Sequence, residues 1–133
     1  GITTYACQDD LSGLPKSAAG SSVRSRDMVK IGQMILGGGK WGGEQLRPAE
    51  YIERAVSPLA VARGRAYHYG FFLWVDTVEV DGKTYACKAG RGAGGQYLFM
   101  FPELGLVAAI TSHNKGMGRM IKEAPERLIR AFR

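Results

Sequence analysis

The stretch Thr77-Val78-Glu79-Val80-Asp81-Gly82-Lys83-Thr84-Tyr85-Ala86-Cys87 decides the fold class. Asp81-Gly82 is the signature of a type I′ turn, in which both central residues adopt positive φ. It predicts an antiparallel hairpin with arms at Thr77–Val80 and Lys83–Cys87. Downstream, Gln96–Phe101 and Leu106–Thr111 read as two further strands joined by Pro102-Glu103-Leu104-Gly105. Upstream, Tyr67 to Val75 is aromatic and apolar at successive positions, as a strand buried on both faces would be. A glycine cluster, Ala89 to Gly95, lies between the hairpin and the next strand.

The period changes on both sides of this block. Met117, Ile121, Ala124, Leu128 and Phe132 form one apolar helical stripe, and Pro125 inside it predicts a kink or two short helices. Toward the N-terminus, Met28, Ile31, Gly32 and Ile35 follow helical spacing. Ser25 is expected as the N-cap of that helix, Asp27 suits its first turn, and Gly37-Gly38-Gly39 ends it. Trp41-Gly42-Gly43 reads as a turn. Pro48 is expected at the first position of a second helix with Tyr51, Ile52, Ala55 and Val56 on one face, ended by Ser57-Pro58. Residues 59–65 read as a loop and residues 1–24 as irregular structure. The plan is helical in the first half, then an antiparallel sheet with a closing helix.

The chain has 133 residues, enough for one ordinary domain. Its 45% hydrophobic and 23% charged composition is that of a globular protein. Eighteen Lys and Arg face twelve Asp and Glu, a net charge of +6. The positive charges are scattered and interleaved with acids, so neither a nucleic-acid stripe nor a membrane partner is expected. No apolar run reaches the ~20 residues of a membrane span. Cys7 and Cys87 are too few for a structural zinc site, and two buried free thiols are the simplest expectation. The chain opens at Gly1-Ile2-Thr3-Thr4 without a start methionine, which suggests a processed or cut product.

Several motifs fail on context. Gly90-x-Gly92-x-x-Gly95 matches a dinucleotide-binding pattern, but it runs into a strand, where that pattern must open a helix. Arg91-Gly92-Ala93-Gly94-Gly95 lacks the stacking aromatics of an RNA-reading strand. Ser112-His113-Asn114-Lys115 spells S-x-x-K, but it follows a strand and precedes Gly116 and Gly118. Lys83-Thr84 is followed by Tyr85, so it is not K-T-G. His68 and His113 have no paired ligand at helical spacing.

The order of motifs nevertheless resembles a known family. Ser25 to Leu36 is followed by Gly38-Gly39-Lys40-Trp41, by Tyr51-Ile52 and Ser57-Pro58, and by Tyr69-Gly70-Phe71-Phe72-Leu73-Trp74. Then come Gly92-Ala93-Gly94-Gly95-Gln96-Tyr97, Phe101-Pro102-Glu103-Leu104-Gly105-Leu106-Val107 and Thr111-Ser112-His113-Asn114. This resembles the C-terminal half of the serine β-lactamase-related hydrolases: class C β-lactamases, family VIII esterases, D-amino-acid-specific peptidases and 6-aminohexanoate-dimer hydrolases. The last branch is most similar in its G-x-G-G-Q-Y stretch.

The resemblance implies an α/β fold of the α+β type, an antiparallel sheet with flanking helices, as part of a β-lactamase/transpeptidase-like fold. Residues 1–65 would be loop and part of the helical region, and 66–133 the sheet strands and final helix, as one structural unit. It implies a serine hydrolase that cleaves an amide or ester through an acyl-enzyme, with no metal or cofactor. In that family the S-x-x-K and Y-x-N elements lie N-terminal to the region matched here. What matches is the K-T-G element, at Gly90-Arg91-Gly92, without the usual Lys or its His variant. By this resemblance Ala93 would offer an oxyanion-hole N–H, worth about 3 kcal/mol of barrier. Gly90, Arg91, Gly92, Gly94 and Gln96 would line the substrate, Arg91 with a charge for a substrate carboxylate. The chain alone is then expected to be inactive. It should also show an unpaired sheet edge, covered by the N-terminal portion of the same protein or by a homo-oligomer. The alternative is a non-catalytic ligand-binding module on the same fold.

Overall fold

The structure is a computed structural model that describes residues 1–16, 19–61, 68–113 and 118–133. Its centre is a six-stranded antiparallel meander. The strands are β5 (Ala60–Val61), β6 (His68–Tyr69), β7 (Trp74–Val80), β8 (Lys83–Gly92), β9 (Gln96–Phe101) and β10 (Leu106–Ile110), each beside its sequence neighbours. The β7–β8 hairpin turns at Asp81 (φ 50°) and Gly82 (φ 76°), as the turn chemistry predicts. Its register runs from Val80 opposite Lys83 to Trp74 opposite Ala89.

Strand alternation gives the sheet two faces. Trp74, Val78, Tyr85, Cys87, Ala89, Tyr97, Phe99 and Phe101 share one face and bury it under α3 (Gly118–Phe132). Ile129 of α3 is fully buried there. Tyr97, Phe99 and Phe101 stack along β9 with centroids 5.4 and 6.4 Å apart. The other face carries Gly90, Gly92, Leu98, Met100 and Val107, and α1 (Ser25–Leu36) packs on its β9–β10 side. Gly32 of α1 lies against Val107, Leu98 and Met100, with no room for a side chain. A second helix, α2 (Ala49–Ala55), buries Ile52 and Ala55.

Several expectations need correction. The N-cap of α1 is Arg24, whose carbonyl receives the amides of Asp27 and Met28; Ser25 is already helical. Pro48 is the cap residue of α2 rather than its first helical residue. The first 24 residues are not wholly irregular: β1 (Tyr5–Cys7) pairs with β2 (Ser21–Val23). The Trp41–Gly43 turn closes a short hairpin of β3 (Lys40–Trp41) and β4 (Glu44–Gln45). Residues 60–61 of the expected loop form β5 and join the sheet, and residues 62–67 lie outside the described residues. The Tyr67–Val75 strand is interrupted, and its first residue also lies outside them. After Tyr69 the chain turns toward the end of α2, where the Phe71 amide donates to the Ala55 carbonyl at 2.9 Å. That bond satisfies a helix-terminal carbonyl. Phe72 is left at φ 59° and exposed. Finally, α3 is one continuous helix, with Pro125 buried inside it. Of the expected stripe Phe132 is exposed and Met117 lies outside the described residues. Burial of Met120, Ile121, Ala124, Leu128 and Ile129 against the sheet outweighs the ~3 kcal/mol penalty of an interior proline.

Candidate functional site

The glycine cluster occupies the end of β8 and the turn into β9. Ladder register between β8 and β9 continues through Gly90 opposite Leu98, Arg91 opposite Tyr97 and Gly92 opposite Gln96. On the β7 side it stops at Ala89. The last three residues of β8 therefore overhang the neighbouring strand. A Cβ at Gly90 would meet only Leu98, at 3.7 Å, whereas one at Gly92 would crowd the Gln96 side chain at 3.1–3.2 Å, so among the described residues the open part of the overhang is at Gly90.

The turn is built on backbone geometry. Gly94 (φ 94°) and Gly95 (φ 95°) take conformations that L residues rarely adopt. Ala93 is exposed at the tip. Ser112 fixes the turn from the side: its hydroxyl donates to the Gly95 carbonyl at 2.9 Å and approaches the Gly94 carbonyl at 3.4 Å. Gln96 completes the latch, its Nε2 donating to the Ser112 carbonyl at 2.8 Å. Ser112 is thus a turn-holding residue in this arrangement. Asn114 and Lys115 of its S-x-x-K pattern lie outside the described residues.

The structure brings Gly90, Gly92, Ala93, Gly94 and Gln96 together at one end of the sheet, but the Arg91 side chain goes elsewhere. Alternation places it on the α3 face, with Cys87 and Ala89. There its guanidinium pairs with Asp76, at 9% and 8% side-chain exposure, and lies 5.1 Å from the Trp74 ring centroid. One Asp76 oxygen, Oδ1, is buried with no hydrogen-bond partner among the described residues, and so is the Tyr97 hydroxyl on the same face of the sheet. Burial holds the Tyr97 phenol above its ordinary value. Asp76 and Trp74 were not candidates from the sequence. The signal was present, however: counting outward from the Asp81-Gly82 turn puts both on the face of Arg91.

On the opposite face Lys88 is half-buried two residues before Gly90, and burial lowers its ammonium from the usual value. His68 and His113 are exposed. Among the described residues no three His, Cys, Asp or Glu side chains come together as a metal site would require. Cys7 is exposed and Cys87 buried, both free, so only one of the two thiols is buried as expected. Among the described residues no helix is long and apolar enough to cross a membrane.

No protein-family model matches the sequence, and no curated relative matches it. Among solved structures the fold does match, including a protein described as a putative 6-aminohexanoate-dimer hydrolase from Bacillus anthracis. The TM-score is 0.72 at 21% identity, over 96% of this chain and 33% of that one. The chain thus spans about a third of that protein's length. It has a mixed α/β fold of β-lactamase-like type, an antiparallel sheet with flanking helices.

Proposed function

We propose that the chain is the substrate-strand portion of a serine hydrolase that cleaves a small amide or ester through an acyl-enzyme. The observation that carries this reading is the overhang of β8. A glycine-rich strand end, unaccompanied by β7 and ending in an exposed turn, sits at the rim of a fold shared with a hydrolase. Gly90 lets a substrate lie close along the backbone, with the Gln96 side chain flanking it at Gly92. Ala93 supplies one N–H to the developing oxyanion, and Gly94 and Gln96 shape the turn that aims it. The nucleophile, its lysine and the tyrosine come from a segment other than this chain. That segment, as the N-terminal portion of the same protein or as a second copy, pairs with the outer edge of β10. This edge, Leu-Val-Ala-Ala-Ile, ends the six-stranded sheet of described residues.

A fluorophosphonate probe followed by denaturing intact mass tests the division of labour. The isolated chain should stay unlabelled, and label should appear on a companion polypeptide carrying S-x-x-K. Label on Ser112 of this chain would overturn the proposal. Saturable binding of small esters or amides without acylation, companion present or not, would identify a non-catalytic binding module.

A further inference from the structure

Between Gly90 and Gly95 the chain carries one side chain longer than a methyl group, that of Arg91. We infer that Arg91 and Asp76 are positioning residues: their ion pair, on the far face of the sheet, holds the Gly90–Ala93 backbone where the proposed oxyanion donor must stand. The inference rests on the function proposed above.

The need for such a device follows from the local sequence. Glycines on both sides of Arg91 leave the backbone more conformational freedom than any other residues would. The overhang has ladder register with β9 only, so one edge of it is not steadied by β7. Glycine and a lone methyl group offer the rest of the fold no side chain to grip, and the Ser112 hydroxyl bonds lie beyond the overhang, at the Gly94 and Gly95 carbonyls. Arg91 is the exception, and its guanidinium reaches back to β7. Asp76 stands there opposite Cys87, inside the fully paired part of the hairpin. The pair is more than nine-tenths buried, under α3 and against Trp74. Low local polarity strengthens a paired charge and penalises a broken one. The planar guanidinium adds direction as well as charge. At Gly90 the front of the strand is left open for a substrate while the back is tethered.

Geometry makes the tether matter for rate. Misplacing a reacting group by about 1 Å can cost roughly 100-fold. Removing one oxyanion donor outright costs about 100- to 1,000-fold. Loosening the strand should therefore fall near the lower figure, and it should act on acylation rather than on ground-state binding.

Residue-resolved amide hydrogen exchange on the full chain tests this directly, with wild type, Asp76→Asn and Asp76→Glu. Protection at Gly90 and Gly92 should fall about tenfold or more in Asp76→Asn, while Val78–Tyr85 of the same hairpin keeps its protection. Asp76→Glu, which retains the carboxylate, should restore most of it. A uniform loss across β7, β8 and β9, or no change at Gly90 and Gly92, would overturn the inference. If Asp76→Asn does not fold, Arg91→Lys serves, keeping the charge and losing the fork. A second readout uses the chain with its nucleophile-bearing companion. Asp76→Asn should slow fluorophosphonate acylation about 10- to 100-fold with substrate affinity nearly unchanged. Wild-type acylation by the variant would refute the positioning role and leave the proposed function standing. Absence of acylation in the wild-type assembly would refute the proposed function itself.

Discussion

Replacing Gly32 with alanine tests how α1 is seated on the sheet. Taken alone, the change should stabilise, since alanine is better than glycine inside a helix by about 1 kcal/mol. The contact opposes it. A Cβ at position 32 would stand 2.5 Å from Val107 Cγ1 and 3.3 Å from Leu98 Cδ1. A separation under 3 Å forces Val107 or the helix to move, and overpacking of that kind costs about 1–3 kcal/mol. The net expectation for Gly32→Ala is a loss centred near 1 kcal/mol, the difference between these two magnitudes. Val107→Ala removes two methyl groups from a half-buried side chain, a loss of about 1 kcal/mol at roughly 0.8 kcal/mol per fully buried methylene. In the double variant the new methyl enters the space that Val107 vacates. Helix propensity and lost burial then cancel, and stability should return close to wild type, a coupling of about 2 kcal/mol. Urea unfolding at constant m-value measures all four proteins. A Gly32→Ala protein more stable than wild type, together with coupling below about 0.5 kcal/mol, would mean that α1 does not touch Val107 as described.

Other perturbations probe separate parts of the structure. Arg130 and Arg133 hold the Asp81 carboxyl below its ordinary value of 3.8 by hydrogen bonding. Asp81 is therefore less protonated in the folded chain than in the unfolded one below that value. The stability it contributes is fully present above pH 3.8 and is lost as pH falls through the lower folded value. Urea midpoints of wild type and Asp81→Asn, which keeps a residue tolerant of positive φ, should converge in acid and lie closer in high salt. Parallel curves at all pH would refute the pairing. Cys7 is exposed, whereas burial pushes the Cys87 thiol up to about 12. Ellman's reagent at mildly alkaline pH should therefore find one reactive thiol in the native chain and two in denaturant; two fast native thiols would show that the sheet face under α3 is open.

What the sequence determined by itself was whatever is encoded locally. Asp81-Gly82 sets the hairpin register, because only a few residue pairs accept two successive positive φ values. Helical spacing from Met28 to Ile35 and the stripe ending at Phe132 mark two helices, since burial of one face requires that period. The two strands after the glycine cluster follow from the same logic. The order of these motifs carries the resemblance to serine hydrolases, and the fold comparison supports it at the level of architecture.

Tertiary structure decided whatever depends on a partner distant in sequence. Arg91 reads as a substrate contact because it stands among site-like glycines, but strand alternation turns it to α3 and to Asp76, fifteen residues away. Ser112 reads as a failed nucleophile pattern and serves to latch Gly95, seventeen residues before it. The Ala55 carbonyl diverts Phe71 and breaks an apolar run that looks like one strand. Pro125 keeps its place in α3 because the helix buries its stripe on the sheet, a gain no local propensity records. A turn or a helical period is written into neighbouring residues, whereas the partner of a buried charge or of a helix-end carbonyl exists only once the chain has closed upon itself.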